Sequence, residues 1–206
     1  MNKKELEILL SRFKTFNKPK IYLEQYQTES KIAAEALWWA FMNGDIEGKT
    51  VADLGCGNGI FGLGAIALGA KKVIFLDTDE RNLEIAKHNL ELLGEFVSKK
   101  GLSEFIKKDV RDFNRKVDVV IQNPPFGVKV VHNDKIFLSR AFEVAKKIYS
   151  FHKVESENFI NSFSKDNGFI IAGKINFKFP LKKTLVFHVK RVHYVDVACW
   201  LLKKAN

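Results

Sequence analysis

The sequence predicts an α/β fold, a mostly parallel sheet with helices on both faces. Three observations carry that expectation. From residue 50 onward, short apolar runs alternate with segments of helical periodicity, which is the rhythm of a parallel sheet. The first run ends in a glycine-rich turn, Asp53-Leu54-Gly55-Cys56-Gly57-Asn58-Gly59. Later runs end in carboxylates or in Asn-Pro-Pro, and ligands of such sheets sit beyond the C-terminal strand ends.

The elements follow in order. Leu6, Leu9, Leu10 and Phe13 recur at helical spacing, so residues 3–15 read as an amphipathic helix ended by Asn17 and Pro19. Ala33, Ala36, Leu37, Ala40 and Phe41 mark a second helix over 29–42. Trp38 and Trp39 lie on it as packing residues, because no basic cluster flanks them. Strands are expected at 50–54, 72–76, 105–108 and 117–122, with helices at 60–68 and 80–93 between them. Helices at 135–150 and 155–163 follow, then a strand at 168–173 and β-rich sequence to residue 202. Val195, Val197, Cys199 and Leu201 alternate with period two, which makes Cys199 a core residue.

Composition narrows the class. The 206 residues suit one domain, and 46% apolar content excludes a disordered chain. Two cysteines cannot build a disulfide framework and fit a reducing, cytoplasmic location. The longest strongly apolar stretch, 59–70, falls short of a membrane span of about 20 residues. No apolar signal-peptide core is present at the N-terminus.

The net charge of +10 is unevenly spread. Residues 1–20 carry +4, residues 174–206 carry +7, and everything between sums to −1. A phosphate backbone is the natural partner of the two basic ends. Lys182, Lys183, Lys190 and Arg191 are the expected contacts at the C-terminal end, and Lys129 lies in a further basic stretch.

Glycines in the first turn let backbone approach a ligand closely, and the following helix N-terminus favours an anionic group. Gly57-Asn58-Gly59-Ile60-Phe61-Gly62 also fits the dinucleotide pattern, with Asp77 or Asp79 about 20 residues on. Asp53 weighs against that reading, since a carboxylate beside the turn repels a pyrophosphate. S-adenosylmethionine has an amino acid end of both signs and a sulfonium, and it fits better. Asp77, at the end of the second strand and followed by Thr78, suits ribose hydroxyls. Asp79 suits a helix cap. Asp109, followed by Val110, is placed to accept from an adenine amino group.

After the fourth strand comes Gln122-Asn123-Pro124-Pro125-Phe126-Gly127. The prolines stiffen the loop, and Pro124 offers a carbonyl with no N–H of its own. With the Asn123 amide oxygen, this makes two acceptors matched to the two protons of an exocyclic amino group. Binding both protons draws the nitrogen toward sp³ character, and Phe126 can stack on the same ring. The chemistry then needs positioning more than a strong base.

These residues are recognisable together. Asp53 to Gly59, Asp77, Asp109 and Asn123 to Phe126 resemble a class I S-adenosylmethionine-dependent amino methyltransferase. The upstream run Leu23-Glu24-Gln25-Tyr26-Gln27-Thr28, with Asn-Pro-Pro-Phe-Gly and the basic C-terminal end, is similar to the methyltransferase-like 5 family. The resemblance covers nearly the whole chain. It implies a Rossmann-like fold with a seven-stranded sheet and an antiparallel C-terminal hairpin strand. It further implies that residues 1–45 help to close the cofactor site and that 46–206 form the core.

By position, the resemblance assigns Gln25 and Thr28 to closing over the cofactor, and Asp53 with Gly55, Cys56, Gly57, Asn58 and Gly59 to its methionine end. Asp77 and Thr78 take the ribose, Asp109 and Val110 the adenine, and Asn123, Pro124, Pro125 and Phe126 the target base. The implied reaction is N6-methylation of an adenosine in small-subunit ribosomal RNA. A small zinc-binding activator subunit is the implied partner, at the edge strand 105–108. Guanine-N2 and release-factor glutamine methylation use the same Asn-Pro-Pro chemistry and remain alternatives, as does a non-catalytic RNA-binding partner. His88, His132, His152, His188 and His193 have no metal-ligand spacing, so no metal is expected.

Overall fold

The structure is a computed structural model that describes residues 1–15, 28–97, 102–125, 133–181 and 193–205. The sheet runs β3-β2-β1-β4-β5-β7-β6. Its strands are β1 (Thr50–Leu54), β2 (Lys72–Asp77), β3 (Leu102–Lys107), β4 (Val119–Gln122), β5 (Lys147–Lys153), β6 (Phe169–Leu181) and β7 (His193–Lys204). The first five are parallel, and β7 is antiparallel to both β5 and β6. The helices are α1 (Lys3–Ser11), α2 (Ser30–Met42), α3 (Ile60–Ala67), α4 (Glu80–Leu93), α5 (Asn133–Val144) and α6 (Glu157–Asp166).

Strand alternation sorts the core into two layers. Val51, Val73, Ile121, Tyr149 and Phe151 pack with α1, α2 and α3. Ala52, Ile74, Val120, Ile148 and Trp200 pack with α5 and with Ile160 of α6. Successive strand residues face opposite sides, so adjacent letters of one apolar run feed both layers. Trp39 meets Tyr149 edge-on at 5.3 Å, and Trp38 packs on Phe41, as their reading as packing residues requires. Cys199 is fully buried in the first layer, where desolvation pushes its thiol pKa up.

One expected element is corrected. The helix read over 135–150 stops at Val144, and β5 begins at Lys147. Only Ala145 and Lys146 separate them, with no glycine or proline to mark the turn. Ile148, Tyr149, Ser150, Phe151 and His152 are all buried, so the strand lacks the polar alternation that would have announced it. Several boundaries also move: β3, expected at 105–108, runs from Leu102 to Lys107, β4 begins at Val119, and α6, expected at 155–163, runs from Glu157 to Asp166. The first helix ends at Ser11, and the strand expected at 168–173 runs from Phe169 to Leu181. No helix among the described residues is long and apolar enough to cross a membrane.

Candidate functional site

Parallel register gathers the predicted residues at one edge. Leu54 lies beside both Leu76 and Gln122, so the glycine turn, Asp77 and Asn123 all leave the sheet at its C-terminal rim. Hydrogen bonds then fix the turn. The Gly55 and Cys56 amides donate to the Leu76 carbonyl at 2.8 and 2.9 Å. The Gly57 amide donates to Asp77 Oδ2 at 2.9 Å, with Gly57 at φ 55°, a backbone that favours glycine. Gly62 serves close packing instead: a Cβ there would lie 2.3 Å from the Phe75 ring.

Asp77 carries more than one duty. Its Oδ2 also accepts from Asn82 Nδ2 at 3.2 Å, and its Oδ1 accepts from the Asp79 amide at 2.8 Å. Burial raises its pKa against the lowering effect of those bonds. Asp79 caps α4 through the Arg81 amide and also meets the Arg81 guanidinium, as its reading as a cap requires. Thr78 is exposed beside them.

Asp53 is buried, and its Oδ2 accepts from the Gly62 amide at 2.8 Å. Desolvation pushes its pKa up to about 7; the Gly62 bond opposes the shift and the Asp77 charge adds to it. Cys56 is buried next to both carboxylates, and desolvation raises its thiol pKa.

Asn58 turns elsewhere. Its Nδ2 donates to the Lys14 carbonyl at 3.2 Å, and its own carbonyl accepts from Asn89 Nδ2 at 3.0 Å. Asn89 also accepts from the Lys14 amide at 2.8 Å. The Asn58 side chain therefore ties the turn to the N-terminal segment. Asp109 is held by its own neighbour: the Arg111 guanidinium donates to both carboxylate oxygens at 2.9 and 2.8 Å. Those bonds lower its pKa. Val110 is buried in the second layer of the core.

At the end of β4, Asn123 Nδ2 donates to Thr28 Oγ1 at 3.0 Å. Its Oδ1 is buried and has no partner among the described residues. Pro124 is buried and Pro125 partly exposed. The amide thus has its donor end committed and its acceptor end available.

A model of the methyltransferase small domain family matches residues 28–150. The rRNA N(6)-adenosine-methyltransferase METTL5 of Danio rerio is 36% identical, covering 93% of this chain and 93% of its own. The chain belongs to the methyltransferase-like 5 family. An uncharacterized protein of Methanocaldococcus jannaschii is also 35% identical to this methyltransferase, over 99% of this chain and 95% of its own. A crystal structure of a candidate RNA methyltransferase from Pyrococcus horikoshii matches with a TM-score of 0.88 and 41% identity, covering 99% of this chain and 98% of that one.

The methyltransferase has the sheet expected of its class, parallel strands followed by an antiparallel hairpin. Gln25, Phe126, Lys129, Lys182, Lys183, Lys190 and Arg191 lie outside the described residues. Among the described residues, no group of three His, Cys, Asp or Glu is placed to hold a metal ion. Sequence reading missed three buried polar residues beside the Asn-Pro-Pro loop, namely Gln122, Ser150 and His152. The available signal was polarity at the end of otherwise apolar runs.

Proposed function

We propose that this methyltransferase transfers a methyl group from S-adenosylmethionine to N6 of an adenosine in small-subunit ribosomal RNA. The observation that carries the reading is the buried Oδ1 of Asn123, which has no partner among the described residues. Thr28 takes the amide's donor end, so the oxygen is left for a proton of the target amino group. The Pro124 carbonyl is the second acceptor. Together they hold the nitrogen in place, and its proton is lost after attack, when the nitrogen has become acidic.

The site fits the cofactor. Asp77 is partly exposed, and its Oδ1, which accepts the Asp79 amide, keeps a second lone pair for a ribose hydroxyl. Gly55 has φ 70° and bare backbone where a Cβ would meet Phe137 at 3.0 Å. Asp53 supplies negative charge for the methionine end, and Val110 an apolar surface for the adenine. Asp109 reaches the adenine only by sharing its carboxylate with Arg111. S-adenosylmethionine supplies an electrophilic methyl on a sulfonium. Residues 1–45 help to close this site, through Thr28 and through the Lys14 backbone held by Asn58 and Asn89.

Register supports an RNA grip at the C-terminal end. β5 stops at Lys153 opposite Val197, while β7 reaches back to His193 and pairs there with Leu181 of β6. The hairpin therefore overhangs the rim that carries Asn123, and the basic residues 182–191 connect its strands. In the same reading a small zinc-binding activator adds strands along β3, a terminal strand of the sheet whose Leu102 is 69% exposed. The setting is cytoplasmic.

The test is methylation of small-subunit RNA followed by nucleoside analysis. N6-methyladenosine is expected, and methylguanosine as the sole product sinks the adenine assignment. Asn123→Ala is expected to abolish turnover with S-adenosylmethionine binding kept within about fivefold.

A further inference from the structure

Three buried polar side chains lie side by side beneath the Asn-Pro-Pro loop. Gln122 ends β4, and it is paired in register with Ser150 of β5. Gln122 Nε2 donates to Ser150 Oγ at 3.0 Å, and Ser150 Oγ lies 2.6 Å from His152 Nε2. All three are essentially inaccessible to solvent. His152 in turn meets the Trp200 ring edge-on, 5.9 Å between centroids.

The direction of the chain follows from its chemistry. An amide nitrogen only donates, so the serine oxygen accepts from Gln122 and its own proton is free for His152. Burial pushes the imidazole pKa down to about 3, so the ring is neutral and Nε2 can accept.

Stability does not explain these residues. The strand residues that share this layer of the core are apolar, and Gln122 Oε1 is buried with no partner among the described residues. Burying polar groups in that way is unfavourable compared with apolar side chains of the same size. Their place does offer a reason. Gln122 immediately precedes Asn123, and consecutive residues anchor to different elements: Gln122 to β5, Asn123 to Thr28.

We propose that Gln122, Ser150 and His152 form a positioning network that holds the end of β4 and thereby sets where the Asn123 carboxamide stands. The inference rests on the reading that Asn123 grips the target amino group. None of the three touches substrate. They act through Asn123, where a displacement of about 1 Å can lower turnover by about a hundredfold.

The experiment compares Ser150→Ala, Ser150→Cys, Ser150→Thr and Gln122→Met in the full chain. It measures kcat and KM for RNA, S-adenosylmethionine affinity, Tm, and the side-chain amide resonances of Asn123. Ser150→Ala and Gln122→Met are expected to lower kcat about tenfold or more, with KM and cofactor Kd within about twofold. The Asn123 resonances shift in both. Ser150→Thr, which keeps the hydroxyl, retains kcat within about threefold and leaves those resonances in place. If Ser150→Ala does not fold, the near-isosteric Ser150→Cys decides.

Folded variants with lowered Tm but kcat within about twofold of wild type, and unmoved Asn123 resonances, overturn the network. Wild-type turnover in Asn123→Ala is a different failure, that of the site reading itself. An inactive Asn123→Ala beside a fully active Ser150→Ala refutes the network alone.

Discussion

Thr28 Oγ1 accepts the Asn123 Nδ2 proton at 3.0 Å, across 95 positions of sequence. A carboxamide can present either end to a ligand, and this bond decides which. With the nitrogen donating to Thr28, the buried oxygen keeps its acceptor capacity, with no partner among the described residues. Thr28 therefore reaches the Asn-Pro-Pro loop from within the segment expected to close over the cofactor.

Thr28→Val keeps the shape and removes the hydroxyl. It is expected to lower kcat about tenfold to a hundredfold, because the amide loses the partner that fixes its orientation. Thr28→Ser restores the hydroxyl and should recover most of the rate. Steady-state kinetics on RNA checks both. Equal rates for Val and Ser variants would refute this role.

Much of this arrangement was legible in sequence, and the rest was not, for physical reasons. The strands of the first half announce themselves because apolar runs end in Asp53, Asp77 and Asn123 at the sheet rim. The β5 strand hides because two residues without a breaker join it to α5. Side-chain partners were invisible because tertiary register sets them. Nothing near Asn58 in sequence tells of Lys14, 44 positions away. Nothing near Gln122 points to Ser150, 28 positions on. Asp109 shows the reverse case: its partner Arg111 was two letters away, but the pair reads as a solvated loop until its geometry is seen.

Asp53 predicts a pH dependence. Its folded pKa is raised from 3.8 to about 7, so its contribution to stability is fully present below 3.8 and is lost as pH rises through about 7. A cofactor bearing positive charge favours the ionised carboxylate. Affinity for S-adenosylmethionine should therefore tighten about fivefold from pH 6 to pH 7, below the range in which an α-amino group titrates. Calorimetry in buffers of different ionisation enthalpy should record proton release on binding. Asp53→Asn should bind more weakly at pH 7 and lose the slope. A flat wild-type profile would place the charge contact elsewhere.

Asp77→Ala removes the proposed ribose acceptor and also three protein hydrogen bonds, from Gly57, Asp79 and Asn82. Cofactor binding is expected to weaken by about 1–3 kcal/mol, and the fold to lose stability of similar size. Asp77→Asn keeps an oxygen for the Gly57 amide and should restore stability more than affinity. Calorimetry and urea unfolding separate the two. Unchanged affinity in Asp77→Ala would remove the ribose contact from this residue.

Asp45 provides a contrast at the far end of the strands. It is fully buried, accepts from Tyr149 Oη at 2.8 Å and pairs with Lys147. Asp45→Ala should destabilise the fold by about 2 kcal/mol, chiefly from the stranded tyrosine hydroxyl. The Lys147 share is discounted because that side chain is 38% exposed and screened by solvent. Turnover per folded molecule at low temperature should be unchanged, since Asp45 precedes β1 and Lys147 begins β5, opposite the rim of Asn123. A selective loss of kcat would contradict that placement.

The division of charge yields the last prediction. Neutralising Lys182, Lys183, Lys190 and Arg191 removes four of the eight basic residues in 174–206. If all four meet phosphates of single-stranded RNA, the slope of log K against log salt should fall by about 3. Affinity at low salt should drop most, because counterion release is strongest there. Cofactor affinity should stay constant, since the segment 21–173 that holds the proposed cofactor residues is nearly neutral at −1. Binding titrations at several salt concentrations test this directly. An unchanged slope together with lost cofactor binding would mean that the C-terminal charges serve the cofactor site and that the RNA grip lies elsewhere.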